Sequence, residues 1–269
     1  MNNLAVIMSL YKNDTFDFVN MAVDSVLSQS YRNFDFFIQC DGSIMEDVEN
    51  YLNSLQDSRI FIYHRDENKG LAYSLNDLLS IVFKRGYNYI ARMDADDISL
   101  PNRFEKQVAF LDAHPETECL GTWAIEIKSD GSEFFRKQMP ETHSECRELF
   151  MSRDCIIHPT AMFRRSFFEK AGMYPLDTYF AEDTMMWAKG FAKGCIFANL
   201  PEYLYLFRLN EDFFNRRRGW KHAWGILQLR WKVNKMLHYP IKSYLYAIAY
   251  AVAKMMPTLV LNRLYKTVR

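Results

Sequence analysis

Three aspartates within four residues, Asp94, Asp96 and Asp97, follow the apolar run Tyr89-Ile90-Ala91 and precede Leu100-Pro101. That setting is a strand-to-loop junction, where grouped carboxylates repel one another unless a cation relieves them. Oxygen ligands suit Mg²⁺ or Mn²⁺, and a magnesium-like ion takes one or two carboxylates and fills its shell with substrate phosphates. A diphosphate leaving group is the chemistry such a cluster serves. Asp96 and Asp97 also read as turn residues ahead of a helix at Pro101, so their neighbours have to decide. A second acidic pair, Glu182-Asp183, stands at a predicted helix start, between Tyr179-Phe180 and Met185-Met186-Trp187. A carboxylate there is partly desolvated and gains proton affinity; helix capping by Asp183 is the alternative. His158, ahead of Pro159, is a candidate contact to an acceptor or a phosphate, against a purely structural histidine. Met185, Met186 and Trp187 read as core.

These residues need a scaffold, and the first hundred residues supply its pattern. Strands are predicted at 4–9, 34–39, 60–64 and 87–93, alternating with helices at 16–30, 45–55 and 71–84, whose apolar residues recur at helical spacing. Three consecutive β-α-β crossovers imply a parallel sheet flanked by helices, with ligands at the carboxyl ends of the strands. The residues just past those ends are polar: Tyr11, Lys12, Asn13 and Asp14; Asp41, Gly42 and Ser43; Arg65, Asp66, Asn68, Lys69 and Gly70; then the aspartate cluster. Beyond residue 100 the pattern loosens. It predicts a helix at 102–113, a strand near 120–127, a hairpin through Ser129-Asp130-Gly131, helices at 145–151, 165–171 and 183–193, and strands near Ile196 and at 203–207. Two tail helices follow, at 220–237 and 241–256. No internal repeat or low-complexity linker interrupts the chain.

With 269 residues and 49% apolar composition the chain can bury a sizeable core. Its formal net charge of zero hides an asymmetry, because residues 213–269 hold 12 Lys and Arg and no Asp or Glu, against 21 basic and 33 acidic side chains before them. Arg216, Arg217, Arg218, Lys221, Arg230, Lys232 and Lys235 are interleaved with Trp220, Trp224 and Trp231. That mixture suits an anionic membrane surface, where each basic residue gains about 1 kcal/mol. A solvated basic helix packing its apolar face on the acidic part is the alternative. Nucleic acid is excluded as a partner because no recognised binding module accompanies the charge. The 243–261 tract is broken by Lys254 and Pro257 and is not read as spanning. Five scattered cysteines without a Cys-x-x-Cys pair, and a first segment that meets Lys12 and Asp14 before any signal-like apolar run, point to a reduced, cytoplasmic protein that starts at Met1.

Seven motifs now stand in order: Val6-Ile7-Met8-Ser9-Leu10-Tyr11-Lys12-Asn13-Asp14, Ala22-Val23-Asp24-Ser25-Val26-Leu27-Ser28-Gln29-Ser30-Tyr31, Cys40-Asp41-Gly42-Ser43, Asn68-Lys69-Gly70-Leu71, Ala91-Arg92-Met93-Asp94-Ala95-Asp96-Asp97, Ile157-His158-Pro159-Thr160 and Ala181-Glu182-Asp183. In this order, over roughly residues 4–210, the chain resembles the family 2 glycosyltransferases, and bacterial surface-polysaccharide enzymes (O-antigen, capsule or exopolysaccharide) in particular. The resemblance implies the α/β GT-A fold, with a catalytic domain over 1–212, divided into a nucleotide-binding half (1–100) and an acceptor half (101–212), and a basic helical extension over 213–269. It implies metal-dependent, inverting hexosyl transfer from a nucleotide diphosphate sugar, with UDP favoured, to a glycan or polyprenyl-diphosphate-linked acceptor. The enzyme would work in the cytoplasm or peripherally at the inner face of the membrane.

By the same resemblance, Asp96 is the metal ligand, Asp94 contacts metal or ribose, and Asp97 is a second carboxylate near the donor sugar, with Ala95 between them and Arg92 assisting the diphosphate. Asp41 meets the base edge, Leu10, Tyr11 and Asn13 line the nucleoside pocket, and Asn68 and Gly70 form the glycine loop beside the nucleotide. Asp183 is the base and Glu182 holds the acceptor. Physical chemistry agrees in part, since a carboxylate can accept from a base N–H and glycine permits close approach or a positive φ; Asp41-Gly42 as an ordinary turn stays open. Cys40 departs from the family pattern, which usually carries Asp there. Two competing readings remain. A sugar nucleotidyltransferase would carry a Gly-rich basic loop after its first strand, which this sequence lacks, and an inactive glycan or lipid-carrier binding module would not need Asp94, Asp96 and Asp183.

Overall fold

The computed structural model describes residues 3–178, 181–209 and 219–256. Four parallel strands, β1 (Leu4–Leu10), β2 (Phe34–Asp41), β3 (Ile60–Arg65) and β4 (Tyr89–Met93), are joined by α1 (Phe16–Leu27), α2 (Glu46–Ser54) and α3 (Leu71–Arg85). The expected crossovers are all present. Leu4, Val6, Met8 and Leu10 alternate with Ala5 and Ile7, so β1 buries both faces, as an internal parallel strand must. The first set packs with Val19, Ala22, Val23 and Val26 of α1; the second packs with Leu75, Leu78, Leu79 and Val82 of α3. Fully burying each of the valine, leucine, isoleucine and methionine side chains contributes about 1.5–3 kcal/mol.

The second half extends the same sheet. After the two-residue β5 (Ile98–Ser99) come α4 (Arg103–Ala113), the long β6 (Thr117–Lys128), β7 (Glu133–Lys137), α5 (His143–Phe150), a 3₁₀ turn (His158–Thr160), β8 (Met162–Arg164), α6 (Arg165–Ala171), α7 (Glu182–Ala192) and β9 (Ile196–Leu209). The order across the sheet is β3-β2-β1-β4-β8-β6-β9-β5, with β7 on β6. Strand direction reverses at β8, which is antiparallel to both β4 and β6. The two predicted strands near Ile196 and at 203–207 form one strand, because register shifts between Thr122 and Ala124 accommodate the chain around Pro201 without ending the ladder. β5 and β8 were not predicted. At two and three residues they carry no readable periodicity.

The basic tail supplies α8 (Trp220–Met236) and α9 (Ile241–Lys254). Val233, Leu237 and Tyr239 join the core layer of α3, α6 and α7. Arg230 pairs with Asp154 at 3.0 Å, donates to the Phe150 carbonyl at 3.1 Å, and stacks on the Phe150 ring. The first tail helix thus packs on the acidic domain, as one of the two sequence readings had it. Arg216, Arg217 and Arg218 lie outside the described residues. Among the described residues no helix is long and apolar enough to cross a membrane. All five cysteines are buried free thiols.

Candidate active site

The carboxyl ends of β1, β2 and β4 lie side by side in the sheet, so their loops meet along one edge. After β1 the chain closes a turn, with the Asp14 amide donating to the Tyr11 carbonyl at 3.0 Å and the Tyr11 amide donating to Asp14 Oδ2 at 2.8 Å. The Asp14 carboxyl is pushed up to about 7, first by burial and then by the fields of Asp96 and Asp94, against the Tyr11 N–H. Asp14 was not among the expected site residues. Its short Asn-Asp spacing reads as an ordinary turn, and only the fold brings it to Asp94 and Asp96. Leu10, expected in the nucleoside pocket, is fully buried in the core, because the β1 alternation points it inward. Tyr11 and Asn13 keep exposure and can face a ligand.

Asp41 is 2% exposed. Its Oδ1 accepts from Arg65 at 2.8 Å and from the Lys69 amide at 2.9 Å, while Oδ2 accepts from the Gly70 amide at 2.7 Å. Asn68 Nδ2 donates to the Asp41 carbonyl at 2.9 Å. The carboxylate therefore shapes the loop that leads into α3. Gly42 has φ +80°, and a Cβ there would stand 2.9 Å from the Asn68 amide nitrogen, so glycine is required on both counts. Gly70 also has a positive φ, +96°, as the sequence allowed.

The aspartate cluster divides by burial. Asp94 and Asp96 are half-buried, whereas Ala95 sits in the core and Asp97 is 1% exposed. Expected beside the donor sugar, Asp97 instead accepts from the Arg208 amide of β9 at 2.6 Å. Arg208 Nε also holds the Asp96 carbonyl at 2.7 Å. Asp97 titrates well above the carboxylate range through burial and then the charges of Asp96 and Asp94, and its Oδ2 is buried without a hydrogen-bond partner among the described residues. Arg92, expected at the diphosphate, is 1% exposed and lies beneath the cluster, paired with Asp94 Oδ1. β4 is covered on both sides, so its outward-facing position does not exist. Arg92 therefore serves as a positioning residue for Asp94.

Tyr205 and Arg103 complete this support. The Asp94 amide donates to the Tyr205 hydroxyl at 3.3 Å, Arg103 Nη2 donates to the Arg92 carbonyl at 2.9 Å, and the Arg103 guanidinium lies 5.0 Å from the Tyr205 ring centroid. Neither residue stood out in the sequence. An Arg at the first turn of a helix and a Tyr in an alternating strand carry no local signature.

On the acceptor side, His158 is buried. Its Nε2 bonds the Tyr174 hydroxyl at 2.9 Å, and its ring meets Trp187 edge-on at 5.9 Å. Burial, then the Arg92 charge, pushes it well below the ordinary imidazole range, the direction that favours the neutral ring. Trp187 is fully buried, and Met185 and Met186 lie in the core as expected. Glu182 and Asp183 form the first turn of α7, half-buried, where the helix N-terminus favours negative charge. The Thr184 amide donates to Asp183 Oδ1 at 2.7 Å, and the Thr184 hydroxyl bridges to Asp154. Tyr179 and Phe180 lie outside the described residues. Tyr174 links the two sides. Burial raises its hydroxyl pKa, Arg92 opposes, and Cys119, Glu182 and Asp183 add to the rise. Asn76 of α3 fixes the Tyr174 backbone with two hydrogen bonds of 2.8 and 2.9 Å.

Among the described residues no three His, Cys, Asp or Glu side chains gather as a closed metal cage. The donor set nevertheless fits a divalent ion completed by phosphates. Burial first, and then the charges of Asp94 and Asp96, raise the Asp14 and Asp97 carboxyls, and a cation beside Asp94 and Asp96 would relieve the repulsive part. The strain has a measurable sign. Between the ordinary value of 3.8 and about 7, folded Asp14 keeps a proton that the unfolded chain has lost, so stability from this group falls as pH rises through that window and stays lost above it. Asp14→Asn, which still accepts from Tyr11, should raise the melting temperature in chelator by a few degrees at pH 8, on the order of 1–2 kcal/mol. The gain should shrink towards pH 5. Equal gains at both pH values would show that Asp14 is not held uncharged.

Comparison with known proteins places the chain among glycosyltransferases. The chain is 31% identical over 270 residues to "Putative glycosyltransferase EpsE" of Bacillus subtilis, covering 98% of this chain and 93% of the relative. It is 29% identical over 267 residues to "Amylovoran biosynthesis glycosyltransferase AmsE" of Erwinia amylovora, covering 97% of both. It is 25% identical over 271 residues to the "UDP-Gal:alpha-D-GlcNAc-diphosphoundecaprenol beta-1,3-galactosyltransferase" of Escherichia coli, covering 98% of this chain and 95% of the relative. Among solved structures, the mannosyltransferase PcManGT from Pyrobaculum calidifontis, in complex with GDP-Man and Mn²⁺, superposes with a TM-score of 0.65 at 16% identity, covering 99% of this chain and 80% of that one. S. aureus TarS 1-349 in complex with UDP-GlcNAc gives 0.62 at 16%, covering 96% and 83%. Both share the GT-A fold of this chain. The sequence profile of glycosyl transferase family 2 matches residues 5–172, and with the full-length relatives it establishes that this chain is a glycosyltransferase belonging to that family.

Proposed function

We propose that this glycosyltransferase is metal-dependent and inverting, and that it moves a hexosyl group from a nucleotide diphosphate sugar, with UDP favoured, to a lipid-linked glycan in bacterial surface polysaccharide synthesis. The observation that carries the reading is the presence of two half-buried acidic sets: Asp94 and Asp96 past the end of β4, with Asp94 held by Arg92 and Tyr205, and Glu182 and Asp183 in the first turn of α7. The names of the Erwinia and Escherichia relatives support the pathway and the acceptor class. Residues 1–100 serve as the nucleotide half and 101–212 as the acceptor half. The basic C-terminal helices serve at the membrane that carries the acceptor.

In this mechanism Asp96 and Asp94 would hold the divalent ion, Mn²⁺ or Mg²⁺. When bound, the ion supplies positive charge against the departing diphosphate. Tyr11 and Asn13 flank the nucleoside, and the loop shaped by Asp41 offers its rim to the base. Glu182 orients the acceptor hydroxyl and Asp183 accepts its proton. The hydroxyl oxygen then forms a bond to the anomeric carbon as the bond from that carbon to the diphosphate oxygen breaks. Attack from the face opposite the leaving group inverts the anomeric centre.

A thermal-shift screen tests the donor side. UDP, GDP, CMP and dTDP sugars are each compared with Mn²⁺ and with chelator. A ligand at a hundred times its Kd stabilises by about 2.7 kcal/mol, a shift of several degrees. One nucleotide class should shift the protein in Mn²⁺ and not in chelator. No shift with any of them would favour the inactive binding module instead.

A further inference from the structure

The outer face of α9 is apolar along its whole length. Ile241, Leu245, Ile248, Val252 and Met255 recur at alternating spacings of four and three, which places them on one side of a helix, and all are 46–77% exposed. Tyr246 and Tyr250 border this stripe and are also exposed. The opposite side, Ser243, Ala247 and Ala251, is buried, and Trp231 of α8 meets Tyr244 edge-on at 4.7 Å. α8 adds exposed Trp220, Trp224 and Trp231. Five large aliphatic side chains in an unbroken exposed row are not ordinary surface.

Charge decides what covers them. α8 and α9 contain Lys221, Lys232, Lys235, Lys242 and Lys254, and neither helix contains Asp or Glu. A second copy seated stripe to stripe would bring these lysines together. An anionic bilayer answers both features, taking the aliphatic row into its acyl boundary and the lysines and tryptophans at its headgroups. Over the described residues α9's 14 residues reach about 21 Å, short of a hydrocarbon core of about 30 Å.

We infer that α9 lies flat in an anionic membrane surface through Ile241, Leu245, Ile248, Val252 and Met255, with the α8 tryptophans and lysines at its rim. This deepens the lipid-linked acceptor reading and rests on it for its purpose. The docked helix pair is coupled to the active site by a short path: Arg230 of α8 grips Asp154, Asp154 receives the Thr184 hydroxyl, and Thr184 follows Asp183. A membrane engaged by α9 would therefore hold the α7 carboxylates at a fixed height above the lipid headgroups.

The test is co-sedimentation of the full chain with vesicles of phosphatidylglycerol and phosphatidylcholine, and with phosphatidylcholine alone. Wild type should bind the anionic vesicles, more weakly in high salt, and Leu245→Glu/Val252→Glu should bind at least tenfold more weakly. Both substitutions are at exposed positions, so the melting temperature should be unchanged. Fluorescence of the wild type gives a second readout without substitution: the exposed tryptophans should shift to shorter wavelength on anionic vesicles and be quenched by brominated acyl chains. Equal vesicle binding by variant and wild type, or no spectral change, would overturn the inference. So would a wild-type dimer that the double substitution converts to monomer without any vesicle binding. A retained Mn²⁺-dependent nucleotide shift separates failure of this surface from failure of the transferase reading.

Discussion

Asp183→Asn should lower sugar transfer by about a thousandfold while leaving donor affinity unchanged, since a positioned general base contributes roughly 10²–10⁴ in rate. The substitution is isosteric, and the amide oxygen can still accept from the Thr184 amide, which the carboxylate holds at 2.7 Å. The α7 start therefore keeps its shape while losing its proton acceptor. The readout is single-turnover transfer beside donor binding by calorimetry. A helix-capping role alone would lower the melting temperature and spare the rate. Glu182→Gln provides the contrast, since a residue that orients the acceptor should raise the acceptor KM more than it lowers kcat. A transfer rate for Asp183→Asn within tenfold of wild type would remove Asp183 as the base.

The second large effect concerns Asp96→Ala. Metal-dependent donor binding should disappear, and transfer should fall by at least about a thousandfold, because the leaving diphosphate loses its charge partner. The same substitution removes one of the charges that raise Asp14 and Asp97. The signs of the two effects are opposite: in chelator at pH 8 the variant should melt no lower than wild type, and it should show no Mn²⁺-dependent nucleotide shift. Equal donor affinity in Mn²⁺ for both proteins would sink the metal assignment. A general loss of stability would instead mean that Asp96 acts through its neighbour Asp97, whose carboxyl anchors the loop to β9.

The amino-acid sequence by itself determined the parallel half of the fold, because its signals are local. The alternation in Leu4–Leu10 and the 3.6-residue spacing of Leu71, Leu75, Leu78, Leu79 and Val82 each force one burial pattern, and the crossovers imply a parallel sheet, whereas its strand order came only with the structure. It also marked the carboxyl ends of the strands, where Asp41, Asp94 and Asp96 stand. Only the tertiary structure decided what each of these side chains does. Long-range contacts turned Asp41 into the clamp of the Lys69-Gly70 loop, Asp97 into an anchor for Arg208, and His158 into a buried partner of Tyr174. They also brought Asp14, Tyr205 and Arg103 to the aspartate cluster from 80 or more residues away in the case of Asp14 and more than 100 in that of Tyr205. Spacing along a chain fixes which face a residue occupies, whereas the charge state and partners of a buried polar group depend on desolvation and on groups from other elements. Neither is written in the neighbouring residues.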